Sequence, residues 1–211
     1  MFTRPQLNSL TTFDRWFTWF VAALGTFSAT LDASIVNVAL PVLSKEFQAP
    51  LDTIQWVVSA YLLSTCASLP LFGWLGDRMQ QSKLTAIGFL VRMIGAWLCA
   101  IAPDINLLIL ARIISALGAS ILMAISYSTV IGVFPPHQRA QSLGMIGSAV
   151  GLGSISGASI GGVLLSAFSW HAIFYISIPI SLLGMVLAYY KIPLRPITAG
   201  KTVDFPGIIL F

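Results

Sequence analysis

Residues 106–134, NLLILARIISALGASILMAISYSTVIGVF, contain a single charged side chain, Arg112, in an otherwise apolar or weakly polar stretch. A bilayer core about 30 Å thick is crossed by about 20 helical residues, so this stretch is long enough to span a membrane. Five more stretches have the same character and are bounded by charges or proline. We therefore predict six transmembrane helices, at Trp16–Leu40, Thr53–Gly76, Leu84–Ala102, Asn106–Phe134, Ala140–Phe168 and Trp170–Tyr190.

The composition of the whole chain agrees with a membrane protein. Of its 211 residues, 57% are apolar and 9% are charged, whereas a soluble domain has about 25% charged residues. The net charge of +4 is spread between apolar runs, so we predict no nucleic-acid partner and a lipid bilayer instead. Cys66 and Cys99 lie inside apolar stretches, and no Cys or His cluster has the spacing of metal ligands. We expect no metal, no cofactor and, because no catalytic set of side chains emerges, no enzymatic activity.

The basic residues predict the orientation of the helices. Lysine and arginine are enriched in cytoplasmic loops, and only Lys45 lies on the side opposite to most of the others. Eight basic residues fall on one side of the predicted membrane, at Arg4, Arg15, Arg78, Lys83, Arg139, Lys191, Arg195 and Lys201. This bias predicts a multi-pass protein of the cell membrane, inner or plasma, with both termini in the cytoplasm.

The predicted organisation has three parts. Residues 1–15 form a cytoplasmic segment, residues 16–190 form the helix bundle, and residues 191–211 form a cytoplasmic linker that becomes apolar again at Gly207. This return to apolar residues predicts the start of a seventh span. We interpret the chain as a fragment, or as a short natural form that ends at the boundary of a half protein.

Asp32 and Arg112 lie inside predicted spans at matching depths. A charged group in hydrocarbon costs at least about 2.5 kcal/mol, so it requires a partner, a watery cavity or a function. At 1.5 Å per residue, Asp32 is roughly 12 Å and Arg112 roughly 9 Å below the outer ends of their helices. Gly25, Ser28 and Asp32 share one helix face, which we expect to point away from lipid.

Two interpretations of Asp32 remain open from the sequence. It is either a carboxylate whose protonation changes with access to each side of the membrane, or one partner of a permanent ion pair with Arg112 that holds two helices together. Arg92 lies near the middle of the third span without an evident acidic partner at its level. It either extends toward the membrane surface or lines a cavity.

Two glycine-containing segments stand out. In GWLGDR, Asp77 follows Gly73 and Gly76 at the cytoplasmic end of a helix, where an acid is poorly placed relative to the helix dipole. Either a cation such as Arg78 or a helix start lies beside it, or the segment is a solvated turn. In the fifth span, small residues repeat every four positions and predict a face on which another helix backbone approaches closely. They are Gly153, Gly157 and Gly161, followed by Gly162.

These residues together resemble a known family. LDASIVNVALP at residues 31–41 is similar to the first-span signature of the drug:proton antiporters with fourteen spans, within the major facilitator superfamily. GWLGDR resembles the loop motif between spans two and three, LARIISALGAS the span-four motif, and the span-five glycines the antiporter motif. WHAIFYISIP at residues 170–179 resembles the start of span six, although Ser177 stands where the family typically has Asn.

The resemblance implies a fold and a set of roles. It implies the N-terminal half of a transporter, all α-helical, with its six helices arranged as a 3+3 repeat. Asp32 becomes a candidate for proton coupling or substrate contact, with Arg112 as its partner. Gly73, Asp77 and Arg78 become part of a cytoplasmic gate. Gly153, Gly157, Gly161 and Gly162 become a packing seam against the other half.

The function that we expect from this resemblance is proton-coupled export of small amphipathic organic compounds by alternating access. Its partners would be protons, a small-molecule substrate, and the missing C-terminal half or a second copy of the chain. Two alternatives stay open: a related carrier for uptake or for a specific solute, and a truncated membrane fragment that transports nothing.

Overall fold

Six long helices and one short helix make up the described chain. A computed structural model describes residues 11–191. The helices are α1 Thr12–Glu46, α2 Leu51–Arg78, α3 Gln81–Ala100, α4 Ile105–Val133, α5 Pro136–Ala167, α6 Ala172–Tyr175 and α7 Ser177–Lys191. Six segments are long and apolar enough to cross a membrane, with α6 and α7 together forming the sixth. The prediction of six transmembrane helices is confirmed, while the predicted start of a seventh span lies outside the described residues.

The helix ends follow ordinary capping chemistry. Thr11 precedes α1, and its hydroxyl accepts a hydrogen bond from the backbone N–H of Asp14, whose carboxylate accepts one from the backbone N–H of Thr11. The Asp104 carboxylate accepts a hydrogen bond from the backbone N–H of Leu107 and begins α4. Pro136 occupies the first turn of α5, where its missing N–H has no cost. These residues fix where α1, α4 and α5 begin.

The sixth span, predicted at Trp170–Tyr190, consists of two helices, α6 and α7, interrupted at one residue that keeps right-handed helical dihedral angles. The break falls at Ile176, between α6 and α7. Pro179 in α7 has no N–H to donate to the carbonyl of Tyr175, four residues earlier, and its ring crowds that carbonyl. The break therefore occurs where the proline disturbs the helix, next to Ser177.

α1 and α4 form the interior of the bundle. α1 contacts α4 and α5 along most of its length and also touches α2, α6 and α7, while α4 packs on α2 and α3. α2 and α5 are the most exposed of the long helices, with large apolar side chains such as Trp56, Leu63 and Ile155 on their outer faces. Charged residues on α1, α3 or α4 can consequently be buried completely.

Candidate functional site

Asp32 and Arg112 form an ion pair in the interior of the bundle. A guanidinium nitrogen of Arg112, Nη1, donates a hydrogen bond of 2.5 Å to Asp32 Oδ2. Gly25, Ser28 and Asp32 are all buried, and Gly25 lies against Leu122 of α4. This small and polar face of α1 points into the bundle, as predicted, so the two residues that the sequence placed at matching depths are in contact.

α2 holds the guanidinium of Arg112 from a second side. Arg112 Nε donates a hydrogen bond of 3.3 Å to the backbone carbonyl of Val57. The Arg112 guanidinium carbon also lies 4.1 Å from the centre of the Tyr61 ring, a cation–π contact. Tyr61 is buried, and its hydroxyl donates to the carbonyl of Ala29 on α1 at 3.4 Å. Arg112 therefore links α1, α2 and α4 at one point.

Arg92 joins the same site, which excludes one of its two interpretations and corrects the expectation that no acid lies at its level. Its side chain is 0% exposed, so it does not extend to the membrane surface. Nor does it lack an acid at its level, because its Nη2 lies 3.9 Å from Asp32 Oδ1 and donates a hydrogen bond of 2.5 Å to the backbone carbonyl of Ser28. Depth along α3 was a poor guide, since it gives the level of a side chain and not the helix it faces.

Two glycines explain how α3, which carries Arg92, comes so close to α4. A Cβ on Gly118 would lie 2.5 Å from the backbone nitrogen of Arg92, and a Cβ on Gly95 would lie 2.5 Å from that of Ser115. The backbones of α3 and α4 can approach this closely only because both positions lack a side chain. Gly88, Arg92 and Gly95 share one face of α3 by their spacing. That pattern was the sequence signal that could have placed Arg92 inside the bundle.

The fifth helix at the site is α7. The Ser177 hydroxyl donates a hydrogen bond of 3.3 Å to Asp32 Oδ1. Sequence reasoning missed Ser177 as a site residue and treated it only as a departure from the family pattern. It also missed Tyr61, because an isolated aromatic residue in a transmembrane helix is ordinary. Asp32 thus accepts hydrogen bonds from Arg112 and Ser177 and faces a second guanidinium.

In the conformation described, the charged groups are sealed inside the bundle. The exposed fraction is 1% for Asp32 and 0% for Arg92 and Arg112. Exchange of a proton between this carboxylate and either side requires a movement of the surrounding helices. The geometry fits the interpretation of an ion pair between helices, and proton exchange requires a second conformation. The arrangement supports a charge–charge link between α1 and α4, with Asp32 as its acid.

The predicted gate residues lie at the C-terminal end of α2, away from the ion pair. Asp77 is exposed, and within residues 11–191 no cation forms an ion pair with it. Arg78 instead places its guanidinium carbon 4.2 Å from the centre of the Trp74 ring. Gly73 has no atom within 4 Å of the position that a Cβ would occupy. Asp77 is exposed, as the second interpretation expects, but Gly73, Asp77 and Arg78 lie within the last residues of helix α2 and not in a turn outside it.

The span-five glycines pack against α1 of the same bundle. A Cβ on Gly153 would lie 2.7 Å from the carbonyl oxygen of Phe27, and a Cβ on Gly157 would lie 2.5 Å from that of Leu31. At Gly161 it would lie 3.3 Å from the Cα of Ile35. The packing seam against another half stays a prediction, since in the described chain the bare face of these three glycines is turned toward α1. Gly162 has nothing within 4 Å of its Cβ position.

No metal centre accompanies the site in the part of the chain that the structure describes. Residues 11–191 hold no group of three or more His, Cys, Asp or Glu side chains that could bind a metal ion.

Comparison with known proteins identifies relatives of the whole bundle. The family model described as Major Facilitator Superfamily matches residues 22–208. A riboflavin transporter of Clostridioides difficile is 38% identical over 199 residues, which are 93% of this chain and 43% of the relative. Multidrug resistance protein 3 of Bacillus subtilis is 32% identical over 188 residues, which are 88% of this chain and 36% of that protein. The chain thus spans less than half the length of these relatives.

A solved structure shares the fold. The proton:xylose symporter bound to 6-bromo-6-deoxy-D-glucose superimposes with a TM-score of 0.78 over 85% of this chain and 45% of the symporter. The sequences are 16% identical, so the likeness concerns the fold alone.

Proposed function

The chain belongs to the major facilitator superfamily, and from that premise we propose that it forms the N-terminal half of a proton-coupled antiporter. Its substrates are small amphipathic organic compounds, exported by alternating access. The names of several relatives as multidrug resistance proteins support export of organic compounds. The rest of the transporter is a C-terminal half or a second copy of the chain. The bias of basic residues supports a cell-membrane orientation with both termini in the cytoplasm.

The observation that carries the proposal is the buried Asp32–Arg112 pair. Ionisable groups inside transmembrane helices are rare and expensive, and they mark ion and proton pathways more often than other sites. Here the pair joins α1 to α4, the two helices most enclosed by the bundle. A carboxylate at that junction couples its own charge state to the contact between the helices.

In the proposed cycle, Asp32 takes up a proton from the outside. Once neutral, it no longer holds the guanidinium of Arg112 by charge, so the contacts of Arg112 with α1 and α2 loosen. The bundle then opens toward the other side of the membrane. The proton leaves toward the cytoplasm before substrate is carried outward. The sealed arrangement described above is the ionised, closed member of this cycle.

The experiment replaces Asp32 by asparagine, which removes the charge and keeps the size of the side chain. Everted membrane vesicles containing the transporter of which this chain is part are energised with an imposed pH gradient, and ethidium movement is followed by its fluorescence. We expect Asp32→Asn to abolish transport driven by the gradient, while the amount of inserted protein stays at the wild-type level. Asp52→Asn, which alters an exposed acid at the outer end of α2, is the control and should transport normally.

Gradient-driven efflux that survives in well-inserted Asp32→Asn protein would end the proposal and leave Asp32 as one partner of a fixed link between helices. Absence of transport in the wild-type protein would favour the alternative of a non-transporting fragment.

A carrier for a specific solute is the second candidate. The observation in its favour is the 38% identity with a riboflavin transporter over 93% of this chain. Riboflavin is therefore tested beside ethidium in vesicles of both orientations. Saturable riboflavin movement with no response to ethidium would favour the specific carrier, and the direction of movement would separate uptake from export.

A further inference from the structure

Arg92 is a buried cation for which the Asp32–Arg112 pair has no need. It is 0% exposed, and Asp32 is the one acid within 4.0 Å of its guanidinium in the described chain. Two guanidiniums thus face a single carboxylate, and their charges do not cancel. A charge buried in a membrane protein without a full counter-ion is costly, so its presence calls for an explanation beyond helix packing.

The Arg92 guanidinium is fixed on one side and unsatisfied on the other. Its Nη2 donates to the carbonyl of Ser28, and the backbone at Arg92 lies against Gly118. Its Nε and Nη1 are buried and have no hydrogen-bond partner in the described chain. A packing arginine would be expected to satisfy these donors. Arg92 is instead held at a set distance from Asp32 with spare hydrogen-bonding capacity.

Asp32 divides its two oxygens between the two arginines. Oδ2 receives the short hydrogen bond from Arg112, whereas Oδ1 faces Arg92 at 3.9 Å and receives the Ser177 hydroxyl at 3.3 Å. At such distances, inside a medium of low dielectric constant, both cations act strongly on the carboxylate. Loss of contact with Arg112 would still leave a cation beside Oδ1.

We propose that Arg92 is a positioning residue of the proton-coupling site, the second cation that shares Asp32 with Arg112 and so sets the pH at which Asp32 takes up a proton. The inference rests on the proposed function, because it gives Arg92 a role in the same protonation step. It also predicts that the position needs a positive charge and not merely a long side chain.

The other groups around Asp32 come from each helix that packs there. α2 contributes Tyr61, α4 contributes Arg112 and α7 contributes Ser177. α3 contributes Arg92, and its Cys99 is a buried, uncharged thiol on the same helix. α5 presents Gly157 to this part of α1 and adds no charge there. Arg92 and Arg112 are consequently the two permanent charges that govern the carboxylate.

The test measures the protonation of Asp32 without relying on transport. Dicyclohexylcarbodiimide reacts with protonated carboxyl groups in apolar surroundings, and mass spectrometry of the purified transporter locates the adduct on Asp32. The pH at half-maximal labelling is compared between wild type, Arg92→Gln and Arg92→Lys. The matched control is Lys83→Gln, which removes an exposed cation from the same helix.

We expect the labelling midpoint of Arg92→Gln to move to higher pH by about 1 to 3 pH units, as for the loss of an opposite charge within 4–6 Å. Arg92→Lys keeps the charge and should stay close to wild type. Lys83→Gln should not change the midpoint. Size-exclusion chromatography of each variant establishes that the protein is folded.

An unchanged midpoint in folded Arg92→Gln overturns the inference, as does failure of both Arg92 variants to fold, which would assign Arg92 to stability alone. The Asp32→Asn transport assay judges the proposed function separately. A shifted midpoint together with undiminished transport by Asp32→Asn would support the sharing of Asp32 by Arg92 and Arg112. It would contradict the proposed proton-coupled antiport.

Discussion

At the scale of single residues, depth along a helix was enough to pair Asp32 with Arg112 and insufficient to place Arg92. The first two sit at matching levels on helices that are neighbours in the bundle. For Arg92, the missing information was the direction in which its face of α3 points, which depends on contact between the backbones of α3 and α4 at Gly95 and Gly118. Ser177 was missed because a hydroxyl gives no signal until its neighbour is known.

The ion pair makes a residue-scale prediction about stability. Arg112→Gln removes the stronger cation from a buried carboxylate, and removal of one partner of a buried pair typically costs 3–5 kcal/mol. Arg92 remains beside Asp32, so we expect the lower end, a loss of about 3 kcal/mol in the free energy of unfolding. Denaturation in mixed detergent micelles measures this loss, with Arg139→Gln near the start of α5 as the comparison.

Unfolding of Arg112→Gln at the wild-type denaturant concentration would show that the pair contributes nothing to the closed conformation. The proposed link between Asp32 protonation and helix contact would then lose its basis.

At the scale of elements, hydrophobic length predicted the helices well and their interruptions poorly. The spans are fixed by the length that a bilayer demands, and the helix bounds differ from prediction mainly at the ends, as for α1, which runs from Thr12 to Glu46. The break beside Ser177 depends on Pro179, yet Pro41 and Pro70 lie within helices that continue past them. Whether a proline interrupts its helix depends on the side chains that pack against it in the folded bundle. These spatial neighbours cannot be read from a single sequence.

The seam between α5 and α1 makes an element-scale prediction. A methyl group on Gly157 would lie 2.5 Å from the Leu31 carbonyl oxygen, so α5 has to move away from α1. We expect Gly157→Ala to lower the free energy of unfolding by about 1 to 3 kcal/mol, the usual cost of overpacking. Gly151→Ala is the matched control on the same helix, because its Cβ position is open.

Equal stability of the two alanine variants would mean that α5 does not pack on α1 through its glycine face. A loss confined to Gly151→Ala would instead place the tight contact on the opposite face of α5.

At the scale of the whole molecule, the sequence predicts a membrane bundle and leaves its substrate undetermined. The positions of the charges between spans predict an orientation, and the motifs predict the family to which the chain belongs. Substrate choice depends on the shape of a cavity, and generic apolar walls are compatible with many solutes. The chain also spans less than half the length of the riboflavin and multidrug relatives named above.

In the proposed mechanism, Asp32 carries the proton that drives transport. The most direct test is proton movement against an ethidium gradient in proteoliposomes that contain the transporter and enclose the pH indicator pyranine. We predict that an imposed ethidium gradient changes the internal pH with wild-type protein and leaves it unchanged with Asp32→Asn. Equal proton movement by the two folded proteins would contradict this role of Asp32, because the proton would then be carried by another group.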